Sequence, residues 1–391
     1  MYNNMPQGYR PQPQRPNSPL RWLLIFAAIA LIAGVSVFAV FYFGVFKGGP
    51  STPVATGQSS PGSGYHGPCT ANSPYGFTTV NADAQLVALY KQLNVCWIRY
   101  QVHWANIETS PGVYNWSQVD TAVQLMNQSQ IHVDFAIESA PAWERTIICP
   151  IDGKNYLPGP QQMAHFATIL ATRYDGKHSH GHIDSFEIGN EEYDQHFTGS
   201  ISTAETCRQG GTYGPILKAG YQAIKAVNPT VTVGMFGQWL HDINHIKTFM
   251  TDLFAGGYGP YMDYMNFHFY NGGNDPSQPH GPIPSFDTWW QTMHQIATQY
   301  GFPNKPIWVT EVGWPTHPPK SNPNKPVTPQ VQAQYLQYIM QQSQQSGVIQ
   351  RVFWFTIDYG NQADNIYPPA GALPAFIMYQ QIVAQNAIWK H

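Results

Sequence analysis

No glycine-rich nucleotide fingerprint follows the first strand-like run of this chain, which argues against a dinucleotide-binding fold. Its four cysteines (Cys69, Cys96, Cys149 and Cys207) have neither CxxC nor zinc-ligand spacing. No basic stripe is present to follow a phosphate backbone, so nucleic acid is not expected as a partner. Residues 1–21, rich in Gln, Pro, Asn and Arg, contain no acidic residue and no apolar periodicity. That composition cannot bury a core, and a disordered tail is expected.

Trp22 to Phe46 contains no charge over 25 residues. As a helix it would be roughly 37 Å long, enough to cross a bilayer with some tilt. It exceeds the usual apolar stretch of a signal peptide and leads into Lys47-Gly48-Gly49-Pro50, which lacks a small-residue cleavage pattern. An uncleaved transmembrane helix over 22–46 is therefore expected. Arg10, Arg15 and Arg21 precede it and only Lys47 follows closely, which predicts a cytoplasmic amino end, a single pass and an extracellular remainder. Residues 47–74, mostly Gly, Pro, Ser and Thr, read as a flexible linker. The globular part is 75–391, with 15 Lys+Arg against 22 Asp+Glu, a formal charge of −7.

Short apolar runs recur at 75–79, 96–103, 131–138, 183–189, 231–237, 264–270, 307–313 and 352–357. Their near-continuous hydrophobicity suits parallel strands covered on both faces. Helical periodicity fills the gaps. Met163, Phe166, Ala167, Leu170 and Tyr174 share one helix face, and Val119, Ala122, Val123 and Met126 share another. Asn81, Pro160, Ser285 and Thr328 stand where helices should start. Eight alternating pairs fit a (β/α)8 TIM barrel or an open doubly wound sheet. Loop lengths favour the barrel. Connections into strands are mostly short, whereas those leaving them (104–116, 139–160, 193–212, 271–285, 315–328) are long and would gather around one cleft. Cys149 and Cys207 fall in neighbouring long loops, so the expected disulfides are Cys149–Cys207 and Cys69–Cys96.

Two glutamates end apolar runs on that rim. Glu191 follows Ile188-Gly189-Asn190 on the fourth strand, and Glu311 lies in Trp308-Val309-Thr310-Glu311-Val312-Gly313-Trp314 on the seventh. Either alone reads as a solvated strand end. Opposed across a barrel, one could protonate a glycosidic oxygen while the other attacks the anomeric carbon or activates water. Close like charges cannot both ionise easily, so one carboxyl should become the acid.

These residues resemble those of clan A glycoside hydrolases, retaining (β/α)8-barrel enzymes, over nearly all of 75–391. The resemblance implies that Glu191 is the acid/base, that Asn190 binds a sugar hydroxyl, and that Glu311 is the nucleophile. His268-Phe269-Tyr270 resembles the strand-six His-x-Tyr of that clan, where Tyr270 would support the nucleophile. Arg99 resembles its strand-two arginine, which keeps the nucleophile ionised; an ordinary buried ion pair is the alternative. The segment 104–116 is similar to families 39 and 5, whereas Glu311 to Pro315 resembles family 17.

Glu187 and Glu192 lack a preceding Asn and are not expected to be catalytic; Glu187 would pair with a cation. Trp104, Trp143, Trp314 and Trp354 lie at or past strand ends, and Trp143 and Trp354 are the best candidates to stack on sugar. His178, His180 and His182 sit on the opposite rim and read as a solvated loop rather than a metal site. No metal or cofactor is needed for this chemistry. The expected partners are an oligo- or polysaccharide, through a β-linked glycan, and the lipid bilayer through 22–46. A non-catalytic glycan-binding barrel or a transglycosylase would share the same cleft.

Overall fold

Eight parallel strands and eight helices of nine residues or more alternate from Tyr75 to Gln385 in the computed structural model, with a further four-residue helix at Trp104–Ile107. It describes residues 69–148, 155–191, 210–239, 242–318, 325–357, 364–368 and 371–385. The expected tail, the 22–46 helix, most of the linker, Glu192, Cys149 and Cys207 lie outside these residues. Among the described residues, no helix is long and apolar enough to cross a membrane.

The barrel strands are β1 (Tyr75–Thr79), β2 (Trp97–His103), β5 (His132–Glu138), β8 (Ser185–Ile188), β9 (Thr232–Met235), β10 (Met265–Phe269), β11 (Ile307–Val312) and β12 (Ile349–Trp354). They form one parallel sheet in the order β10-β11-β12-β1-β2-β5-β8-β9. Parallel bridges Gly234–Tyr264 and Gln238–Phe267 link its two edges. Two hairpins interrupt the long rim loops: β3 (Glu108–Ser110) with β4 (Val113–Tyr114), and β6 (Arg145–Ile148) with β7 (Asn155–Pro158).

One helix follows each barrel strand: α1 (Ala84–Gln92), α2 (Ser117–Gln128), α3 (Pro160–Arg173), α4 (Gly210–Val227), α5 (Ile243–Ala255), α6 (Phe286–Gln299), α7 (Pro329–Ser346) and α8 (Pro374–Gln385). The caps follow local chemistry. Pro160 opens α3, and the Ser285 and Thr328 hydroxyls accept from the Thr288 and Val331 amides. At α1 the cap is Asp83, which accepts from the Leu86 amide, and not Asn81. Helix α6 buries Phe286, Trp289, Met293 and Ile296 against the sheet. Each such side chain contributes about 1.5–3 kcal/mol, and Trp289→Ala would cost about 3–5 kcal/mol.

Strand alternation stacks the lumen in layers. On β2, Trp97, Arg99, Gln101 and His103 rise along one face, while Ile98, Tyr100 and Val102 join the core under the helices. Trp97, Tyr264, Trp308 and Phe353 form the floor, with Tyr264 stacked on Trp308 at 3.8 Å. The Arg351 guanidinium sits between the Trp97 and Trp308 rings and donates to the Ala71 carbonyl. Cys69 is disulfide-bonded to Cys96, fixing the entering chain beside this floor. Closing a loop of that 27-residue separation removes about 3–4 kcal/mol of unfolded-chain entropy.

Candidate active site

Strand β11 carries a local irregularity that shapes the site. His268 and Phe267 on β10 pair with Glu311 and Val309, so Thr310 is an extra residue. The register against β12 shifts over the same stretch. Such a bulge re-aims side chains. Here it lets consecutive residues serve one cluster: Thr310 hydrogen-bonds to Asn266 and His268, and Glu311 to Arg99, Gln101 and Tyr270.

Both Glu311 oxygens are held. Oε1 accepts from Arg99 Nη1 at 2.7 Å and Gln101 Nε2 at 3.0 Å; Oε2 accepts from Tyr270 Oη at 2.9 Å. Burial pushes the Glu311 carboxyl above its ordinary range, with His268, Arg99 and Tyr270 pulling it back and Glu191 adding to the rise. Burial, together with Glu311, also raises Tyr270 well above the usual phenol range, so it remains a donor.

Arg99 is fully buried and binds three side chains. Besides Glu311, its Nη2 lies 2.6 Å from Asn190 Oδ1, and Nε and Nη2 lie 2.9 and 2.8 Å from Glu187 Oε2. Contacts to Glu311 and to a second buried carboxyl, Glu187, are thus both present on one guanidinium.

Glu191 follows β8 with a left-handed backbone, φ 44°, and its amide donates to the Gly237 carbonyl at 3.2 Å. Its Oε1 lies 2.5 Å from His268 Nδ1, which is itself 3.7 Å from Glu311 Oε2. His268 Nε2 contacts Thr310 Oγ1 at 3.1 Å, and the Thr310 hydroxyl donates to Asn266 Oδ1 at 2.8 Å. The imidazole packs flat against Gly237, where a Cβ would stand 2.0 Å from Nε2; only glycine fits. Burial lowers the His268 pKa to about 4, so the ring is neutral near pH 7.

Glu191, His268 and Glu311 each place a ligand-type atom within 4.8 Å of the others, the one such cluster among the described residues. His178, His180 and His182 do not gather. His178 contacts Asp175, His180 contacts Asp120, and His182 contacts Asp184.

Arg99, Asn190, Glu191, His268, Tyr270 and Glu311 therefore converge, whereas the tryptophans mostly do not. Trp354 is fully buried and tilts against Trp314 in the layer under the helices. Its neighbour Phe355 is half-buried and meets Tyr270 edge to face. Trp354, expected as a sugar platform, is thus turned away from the carboxyl cluster, and Phe355 faces Tyr270 in its place. Trp104 stacks on Phe166 and donates to Glu108, and Trp314 donates to Asn271; both are buried. Trp143 is exposed, in the turn after β5.

Three residues escaped the sequence reading. Gln101 and His103 continue the inward face of β2 above Arg99, a spacing of two that could have found them. His103 contacts Glu138 at 2.9 Å, which raises its pKa against burial. Beside them lies a cavity of about 320 Å³ lined by Asn81, Gln101, His103, Asn106, Asn115 and Gln118. Asp364, past β12, is buried and pushed up to about 7 by burial, with Glu311 adding to the rise.

A family model described as the glycosyl hydrolase catalytic core matches residues 174–373. No functionally curated protein matches the sequence. The fold is similar to that of a family 39 glycoside hydrolase from Bacteroides cellulosilyticus, at 18% identity and a TM-score of 0.60, covering 80% of this chain and 64% of that one. A glucosidase from Croceicoccus marinus aligns at 15% identity and TM-score 0.55, covering 79% and 66%. Endo-glycoceramidase II from Rhodococcus sp. aligns at 15% identity and TM-score 0.53, covering 80% of each chain. The chain thus spans about two thirds or less of the first two of these structures. With its carboxyl pair at the carboxyl ends of the fourth and seventh strands of a (β/α)8 barrel, the chain belongs to the glycosyl hydrolase catalytic core family.

Proposed function

We propose that the protein hydrolyses β-linked glycans with retention of configuration, Glu191 acting as acid/base and Glu311 as nucleophile. The observation that carries this reading is the pair's proximity, with one oxygen of each carboxyl within 4.8 Å of the other across the barrel. Inverting enzymes separate their carboxyls by about 6.5–9.5 Å to admit a water between them, and retaining ones by about 5–5.5 Å. Glu311, held at both oxygens, is aimed for attack at the anomeric carbon. Glu191 delivers a proton to the departing oxygen, then takes one from the water that cleaves the glycosyl ester.

Asn190, whose Oδ1 is engaged by Arg99, has its amide N–H to offer a sugar hydroxyl. The amide-rich cavity beside Gln101 favours a neutral glycan. Phe355 and partly buried Trp239 each meet Tyr270 edge to face, and exposed Trp143 offers a further aromatic surface on the rim.

A mechanism-based fluoro-glycoside should label Glu311, and Glu191→Ala should recover turnover with added azide. Labelling of another residue, or no azide response, would overturn these roles. The uncharged 22–46 segment supports placing this domain outside a membrane that the segment crosses. Protease protection of the carboxyl end in intact cells would refute that placement.

A further inference from the structure

Beneath Glu311, two more buried carboxyl groups, Asp134 and Glu187, lie near Arg99, whose guanidinium contacts Glu187 and Glu311. Asp134 on β5 and Glu187 on β8 are fully buried and lie on adjacent strands, with Asp134 paired to Ser185 and Ala136 to Glu187. Asp134 Oδ1 accepts from Tyr264 Oη at 3.4 Å. Glu187 Oε2 takes both Arg99 donors. That leaves Asp134 Oδ2 and Glu187 Oε1, each buried and without a donor among the described residues. Glu187 lies two residues beyond Ser185, so the two carboxyls stand diagonally on the same face of adjacent strands. Each orphan oxygen has only lone pairs to present, so one proton placed between them would satisfy both.

We propose that Asp134 and Glu187 share one proton, and that the single negative charge left on the pair balances Arg99 and so sets the ionisation of Glu311. This rests on Glu311 being the nucleophile. The groups facing the pair are Arg99 from β2, Tyr264 and His268 from the β10 region, Glu311 from β11 and Arg351 from β12. Arg351 attracts Asp134 from the floor but is clamped by Trp97 and Trp308 and donates to Ala71. His268 is neutral. Burial raises both carboxyls, Glu187 to about 8, against the pull of Arg99.

The arrangement has a consequence along the reaction. When Glu311 becomes a glycosyl ester it loses its charge, and Arg99 would otherwise be left as an uncompensated buried cation. The pair's charge remains beside it throughout.

The test is a double-variant cycle. In Glu187→Gln the amide oxygen can face Arg99 and the NH2 can face Asp134. In Asp134→Asn the NH2 can face Glu187. Either single variant keeps one negative charge, because the remaining carboxyl ionises. The acid limb of kcat/KM should then stay in place in both singles and fall by about 1–3 pH units in the double variant, where Arg99 acts on Glu311 alone. Equal shifts in each single, or none in the double, would overturn the proposal.

Infrared spectra near neutral pH give a readout independent of turnover. Wild type should have a protonated-carboxyl stretch that both single variants lose. A wild-type spectrum matching both singles would overturn the shared proton, even if the protein cleaved no glycan. Asp364 is present in all three proteins, so its signal cancels.

Discussion

Tyr270 Oη donates to Glu311 Oε2 at 2.9 Å, on the oxygen that Arg99 leaves open. Charge-assisted hydrogen bonds of this kind contribute about 1.5–3 kcal/mol. Tyr270→Phe should therefore lower kcat/KM roughly 10- to 100-fold without unfolding the barrel. Because the phenol favours the ionised carboxylate, its loss should move the acid limb of the pH profile upward. A profile that merely drops, with its limb unmoved, would contradict this role.

His268 makes stability depend on pH in a defined window. Its pKa falls from 6.5 to about 4 on folding, chiefly by burial, so the unfolded chain binds more protons between those values. The contribution is fully present above about 6.5 and is lost as pH falls toward 4, a change on the order of a few kcal/mol. Urea unfolding at several pH values should give a shallower dependence for His268→Gln than for wild type. Equal slopes would exclude the imidazole as the source.

Trp354 and Phe355 should separate cleanly on substitution. Trp354→Ala empties a fully buried site and should cost about 3–5 kcal/mol in denaturant unfolding. Phe355→Ala, on the partly open side, should raise KM with a much smaller stability loss. The opposite pattern would restore Trp354 as the sugar platform.

Arg99→Met should destabilise the fold by about 3–5 kcal/mol, since Glu187 and Glu311 would lose their shared buried cation. Arg99→Lys should recover little, because an ammonium cannot reproduce the planar fork that reaches Glu187, Asn190 and Glu311 together. Chemical denaturation of both variants measures this directly.

The barrel was legible in the sequence because a parallel strand buried on both faces reads as an unbroken apolar run, and eight such runs alternate with helical periods. The same property hides parity. Within Val352 to Ile357 nothing in the sequence distinguishes the lumen face from the helix face, so the direction of Trp354 and Phe355 is not legible there. The strand also starts earlier than expected, at Ile349, because Gln350 and Arg351 break the apolar run. Glu191 and Glu311 were visible as charges at strand ends. The bulge at Thr310 was not, since it depends on the registers of two neighbouring strands. Asp134 did carry a signal, a lone acid inside an apolar strand, but its meaning depends on Glu187 one strand away. Asn81 and Asp83 both suit a cap; only the backbone path decides between them.

The disulfide and the Arg351 contact fix Cys69 and Ala71 at the amino ends of the strands, while Glu191 and Glu311 sit at the carboxyl ends. The polypeptide therefore enters this domain from behind. Reduction of this disulfide would therefore loosen the base of the barrel, on the side away from the two glutamates.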